Sequence, residues 1–183
     1  IVGRNSKAIS VLYDVLMGKE TADSGYYKWG KTITPTYLPV DNDEYFVGCD
    51  LSLVDWLSRY SYDHYEEFVR GWLARMLFSG EESQKKASVI SGGEKVRCML
   101  AKMMLEGGNF MILDEPTNHL DLESITALND GLVAFKGCLL MTSHDRELMN
   151  TVCNRIIEID GGKKVYDRPV DYDAYLEETM NKQ

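Results

Sequence analysis

Apolar positions change their period several times along this chain, and each change marks an element. Val11, Leu12, Val15 and Leu16 recur at helical spacing and predict a short helix over 10–16, closed by Gly18. Ile1 and Val2 read as the end of a strand. The run "GYYKWGKTITPTYLP" mixes Tyr, Trp, Ile and Thr with glycine and proline, which predicts strands and turns. Between 50 and 86 the character shifts. Ser52 with Asp55, and Asp63 with Glu66, have capping-box spacing ahead of "LVDWLSRY" and "HYEEFVRGWLARMLF". Both segments read as helices, the second with Phe68, Trp72, Leu73, Met76 and Leu77 on one face. From Ser88 the order becomes helix, strand, helix, strand, helix, strand, through "EKVRCMLAKMML", "FMILDEP", "LESITALNDGLVAF", "CLLMTSH", "RELMNTVC" and "RIIEI". Short continuous apolar strands between helices predict a parallel sheet covered on both faces. "DYDAYLEETMNK" adds a last helix. The expected fold is α/β, with a core over 1–49 and 87–183 and a helical subdomain inserted at 50–86.

Composition narrows the class of partner more than the fold. The 183 residues carry a formal charge of −9, and nucleic-acid affinity needs basic surface, so the domain does not read as a nucleic-acid binder. No apolar run is long enough to span a membrane. Cys49, Cys98, Cys138 and Cys153 are scattered, without a C-x-x-C pair, which argues against a zinc site or a disulfide framework and fits a reducing cytoplasm. The first residue is Ile, so the sequence reads as a piece of a longer protein.

Chemistry concentrates in four places. "FMILDEPTNHLD" ends an apolar strand in Asp114 and Glu115, where α/β proteins place ligands. An aspartate there can hold a nucleotide's Mg²⁺, and the adjacent glutamate can orient an attacking water. Ser91, Gly92 and Gly93 precede a helix whose first N–H groups suit an anion. His144 follows the next strand, so sheet order can bring it near Glu115. Ser143 and Asp145 beside it do not suggest a hydrolase triad, because no G-x-S-x-G elbow presents a serine. The segment "GRNSKAIS" lies in register with the phosphate-loop pattern G-x-x-x-x-G-K-[ST] at Gly3 and Ser10, but has Ala8 for the second glycine and Ile9 for the lysine.

Together the order GxNxxAxS, SGGE, ILDEP, NHLD and SH resembles the nucleotide-binding domains of ABC ATPases, along the whole chain. "SGGEK" and "DEPTNHLDLES" resemble the ABC-F class, proteins with two such domains in tandem whose linker acts on the ribosome and adjusts translation. The resemblance implies a P-loop NTPase-like core binding ATP with Mg²⁺. It places Gly3, Asn5, Ser6, Lys7, Ala8 and Ser10 in the Walker A loop, with Ser10 and Asp114 as metal ligands. Glu115 and His144 become the catalytic pair. Ser91, Gly92, Gly93 and Glu94 form the signature and Asp121 ends the D-loop. It also implies a head-to-tail sandwich, in which the signature serves the nucleotide of a second ABC domain while Asp114, Glu115 and His144 serve this domain's own. This chain would be the second, C-terminal domain, without its preceding strands and the aromatic residue that stacks on adenine.

Two departures from the family fall on one site. Ile9 cannot neutralise phosphate charge, and a hydrogen bond to a charged group is worth roughly 1.5–3 kcal/mol. Lys7 lies two positions early. Ser6 and Ala8 replace glycines, with strain if either needs a left-handed backbone. Val40 stands where the family's Q-loop glutamine is expected, with Asp41 beside it as a substitute. The expectation is an ATPase domain whose own site is weak and slow but whose signature completes a competent partner site. The alternatives are a non-catalytic ATP-dependent clamp and the ATPase subunit of a membrane transporter.

Overall fold

The computed structural model describes residues 1–62, 65–160 and 163–180. Its centre is a parallel sheet of β1 (Pro35–Leu38), β2 (Phe110–Asp114) and β3 (Cys138–Thr142), ordered β1-β2-β3. Register pairs Leu38 with Leu113, and Asp114 with Thr142, so the strands end level. Alternation along β2 divides the core in two. Ile112 faces one cluster with Ile1, Ile9, Tyr13 and Tyr37, beneath helix α1 (Ser6–Leu16). Met111 and Leu113 face the larger cluster.

That larger cluster joins the sheet to the helices over 50–86. Helix α2 (Leu53–Ser58) is capped as its sequence predicts, Ser52 Oγ accepting the Asp55 N–H at 3.1 Å. Helix α3 (Glu66–Arg75) buries Val69 and Leu73 together with Met76 just beyond it, while Phe68 is exposed. The buried stripe therefore lies one position round from the expected face, and Leu77 falls outside the helix in a left-handed conformation (φ 61°). The expected Asp63 cap lies outside the described residues. Helix α4 (Gly92–Leu105) packs on both α2 and α3 and buries Val96, Met99, Leu100 and Met103.

Helix α5 (Leu122–Ala134) follows β2, and α6 (Arg146–Val152) follows β3. Strand β4 (Ile156–Asp160) departs from the expected sheet order. It pairs antiparallel with β5 (Lys163–Arg168), a strand the polar-rich "KKVYDR" does not announce. Ile1 and Val2 join the two sheets. The Ile1 backbone nitrogen donates to Met141 O, and Val2 bridges to Glu158 in the parallel sense. In "GYYKWGKTITPTYLP" only Pro35–Leu38 becomes a strand. Trp29 in that stretch instead packs edge-on against Phe110, and its indole N–H donates to Leu16 O at 3.0 Å. Helix α7 (Tyr172–Met180) ends the described chain and packs on α6.

Candidate functional site

The site gathers at the C-terminal ends of β2 and β3. Asp114 is 2 % exposed, and both its oxygens are engaged. Thr142 Oγ1 donates to Oδ1 at 2.9 Å and Ser10 Oγ donates to Oδ2 at 2.5 Å. The chain then turns sharply. Glu115 has φ 51°, a left-handed conformation that costs an L-residue roughly 1–3 kcal/mol and persists only where its surroundings enforce it. Here the Glu115 N–H donates to Thr142 O at 3.1 Å, and its carbonyl accepts from Asn118 N–H at 3.1 Å.

The turn aims the Glu115 side chain inward. That side chain is 9 % exposed, with Oε1 at 3.5 Å from His144 Nε2 and Oε2 without a partner. Burial pushes its pKa up from the usual carboxylate value; His144 opposes the rise and Asp114 adds to it. A buried acid with a free oxygen suits the placing of a water and the acceptance of its proton. Asp114, Glu115 and His144 are thus brought together as the motif order implied. Thr142 is the functional neighbour that sequence reasoning missed, since nothing in "CLLMTS" singles it out from a strand end.

The loop before α1 differs from the expected phosphate loop. Helix α1 begins at Ser6, not Ser10, because the Asn5 side chain caps it by accepting the Ala8 N–H at 3.2 Å. Residues Ser6, Lys7, Ala8 and Ile9 are therefore its first turn. Neither Ser6 nor Ala8 has a positive φ, so the strain anticipated at those positions does not arise. Ile9 is 3 % exposed, buried with Ile1, Tyr13, Tyr37 and Ile112 beneath the helix. Gly3 lies so close to Ile159 O that a Cβ could not fit. Lys7 is exposed.

Two cavities flank this helix. One, of about 420 Å³, is lined by Ser10, Asp14, Glu20, Val40, Asp41 and Asp114 among others. Asp41 thus shares a cavity with the two metal candidates, although its Oδ1 already accepts the Asp43 N–H at 2.9 Å. The second, of about 300 Å³, is lined by Gly3, Arg4, Ser6, Glu115, Ser143 and His144, closed by α7. Ser10 Oγ and Asp114 Oδ2 converge as two hard oxygen donors. That fits Mg²⁺, which takes one or two protein oxygens and completes its shell with waters and phosphate.

The signature turn is built separately. Ser91 Oγ accepts the Glu94 N–H at 3.3 Å and Glu94 Oε2 accepts the Ser91 N–H at 2.7 Å, a full capping box on α4. Burial acts to raise the Glu94 pKa, but hydrogen bonds from Lys85 and Ser91 outweigh it and the net value is lowered. Ser91 and Gly92 are exposed. Gly93 rests on the D-loop: a Cβ there would meet His119 O at 2.7 Å. Asp121 caps α5, its Oδ1 accepting the Ser124 N–H at 2.8 Å.

Comparison with known proteins agrees with this architecture. The family described as ABC transporter matches residues 1–118, well over half of the chain, which therefore belongs to that family of ATP-binding domains. Its relatives place it with the ABC-F members that the motifs resemble. It is 59% identical over 176 residues to the uncharacterized ABC transporter ATP-binding protein YkpA of Bacillus subtilis (strain 168), covering 96% of this chain and 32% of that protein. It is 34% identical over 167 residues to the energy-dependent translational throttle protein EttA of Mycobacterium tuberculosis (strain CDC 1551 / Oshkosh), covering 88% and 29%. The chain thus spans about a third of the length of these relatives. Among solved structures it is similar to the dimeric post-hydrolysis state of the ATP-binding cassette MJ0796 bound to ADP and Pi. The TM-score is 0.71 at 13% identity, over 92% of this chain and 83% of that one. No helix among the described residues is long and apolar enough to cross a membrane.

Proposed function

We propose that this domain is one half of an ATP-driven pair acting on the ribosome, binding and slowly hydrolysing ATP at its own site while its signature completes the partner's. One observation carries the reading: the buried, unpartnered Glu115 Oε2 beside His144, at the strand end that also holds Asp114. In hydrolysis a water oxygen attacks the terminal phosphorus, the bond to the bridging oxygen breaks and ADP leaves with that electron pair. Glu115 orients the water and takes its proton, and His144 stands beside the same carboxylate. Ser10 and Asp114 would hold Mg²⁺, which supplies charge neutralisation on the phosphates. Ser91, Gly92 and Gly93 lie on the α4 terminus, Ser91 and Gly92 exposed and Gly93 half-buried, where a second ABC domain and its nucleotide would meet them.

Slow turnover at the domain's own site follows from Ile9, whose side chain is committed to the core and leaves no lysine at the phosphates. Single-turnover hydrolysis by the full-length protein tests this, with Glu115 and its counterpart in the other half replaced separately by Gln. The counterpart's loss is expected to dominate, and equal losses would overturn the asymmetry. The clamp reading is favoured by the same buried Ile9. It predicts that Glu115→Gln changes neither turnover nor ribosome release. Action on translation is supported by similarity to a protein called a translational throttle. Co-purification with a membrane protein instead of ribosomes would favour the transporter alternative.

A further inference from the structure

A lysine-less phosphate loop leaves an electrostatic question, and the two cavities answer it differently. The Ser10–Asp114 cavity is lined by five acids, Asp14, Glu20, Asp41, Glu44 and Asp114, and its Lys19 already pairs with Glu44 at 3.4 Å. Such a lining suits the Mg²⁺ that Ser10 and Asp114 would hold, and offers no unpaired basic side chain of its own to the phosphates. On the other side of α1, the cavity holding Ser143 and His144 is lined by two acids, Glu115 and Glu158, and has Arg4 as its arginine or lysine among the described residues. Arg4 is exposed and lies one residue before the Asn5 cap. Ser6 lines the same space, and the N–H groups of Ser6 and Lys7, unlike those of Ala8 and Ile9, which Asn5 accepts, have no intrahelical acceptor. Glu115 Oε2, nine-tenths buried and unpartnered on the same wall, independently marks a place where a ligand or its water completes the hydrogen bonding.

We propose that Arg4, together with the N-terminal amides of α1, holds the terminal phosphates of ATP in the cavity beside Glu115 and His144, in the role that Ile9 has vacated. The proposal rests on the nucleotide reading above and deepens it. Because α1 starts a turn early, its N-terminus lies at Arg4–Ser6 instead of at Ile9–Ser10. A guanidinium there offers up to five N–H donors and a permanent charge, with planar geometry matched to phosphate oxygens. Lys7, inside the helix's first turn, does not line the cavity.

The test uses the full-length protein, photolabelled with an ATP analogue carrying an aryl azide on its terminal phosphate. Labelling is read on tryptic peptides 103–136 and 137–146, which carry Glu115 and His144, and on peptides of the other half as an internal control. ATP and AMP each serve as competitor. R4A is expected to raise the ATP concentration that protects these two peptides by about 10- to 150-fold, the loss of one hydrogen bond between charged groups. R4K should stay within a few-fold of the natural protein, while AMP protection and the other half are unchanged. ATP protection in R4A equal to the natural protein's overturns the role of Arg4 and leaves the nucleotide reading standing. A loss in K7A with R4A unaffected assigns the cation to Lys7 and likewise overturns it. No ATP-protected labelling in this half of the natural protein overturns both.

Discussion

Glu115 combines three uncommon properties in one residue: a left-handed backbone, a buried carboxyl and an oxygen without a partner. Its raised pKa has a kinetic consequence. Catalysis needs the carboxylate, so activity at this site is expected to fall on acidification at a pH above the ~4.3 of an exposed glutamate. A pH profile of single-turnover hydrolysis, with the other half disabled, checks this; an acid limb at or below the ordinary glutamate value counts against it. Stability has the opposite sense. A pKa raised on folding means the charged form is disfavoured in the folded state, so the penalty grows as pH rises through the folded value and vanishes below the unfolded one. Glu115→Gln should therefore raise the melting temperature at neutral pH, by about 2–4 °C if ~1 kcal/mol is relieved, and leave it unchanged near pH 4. Ile9 gives a third expectation. Restoring a lysine there puts an ammonium among Ile1, Tyr13, Tyr37 and Ile112, so Ile9→Lys should cost about 2 kcal/mol or more and not restore tight ATP binding. Thermal denaturation beside nucleotide binding would measure both. The letter Ile9 was legible in the sequence as a missing charge. Its burial was not, because the helix start that turns it inward depends on a cap whose competing role is in a loop.

Element boundaries show where local pattern stops being informative. Strands β2 and β3 were plain from their apolar runs, and α4 and α5 from periodicity with Ser91 and Asp121 as caps. Helix α1 begins four residues before the expected start because its first turn, Ser6 to Ile9, carries the letters of a degenerate phosphate loop, while Asn5 caps it. Replacing Asn5 with Ala removes the acceptor for the Ala8 N–H and should destabilise the domain by about 1 kcal/mol. Strand β5 is not legible for another reason: its exposed lysines and its ion-paired Asp167 give no apolar run, and only pairing with β4 defines it. The stripe of α3 differs from the expected one because the large aromatics Phe68 and Trp72 sit towards its outer side, whereas Val69 and Leu73 are packed against the core. At the signature the capping box makes a pH-dependent contribution. The lowered pKa of Glu94 means its stabilisation is present above the unfolded value and is lost as pH falls through the folded one. Glu94→Gln should flatten the stability profile below about pH 5, as denaturant titration at several pH values would register.

Across the molecule, negative charge and cavities are unevenly shared. The acid-rich side of α1 faces the Ser10–Asp114 pair, and the side with Arg4 faces Glu115 and His144. The motif order was enough to foresee the strand-end cluster, since parallel register carries Asp114 alongside Thr142 and leaves Glu115 and His144 just past those ends. It could not reveal the second cavity, because α7 and the Gly3–Ser6 loop that wall it are far apart in sequence.

One contact ties these surfaces together. Gly93 sits against the carbonyl of His119, itself in a left-handed turn four residues after Glu115, with no room for even a methyl group between them. On the proposed reading, a neighbouring domain that displaced the Ser91–Gly93 turn would press on the His119 carbonyl, and so on the bend that carries Glu115. Gly93→Ala is therefore expected to disturb both turns at once, which hydrogen exchange at 91–94 and 115–120 would register.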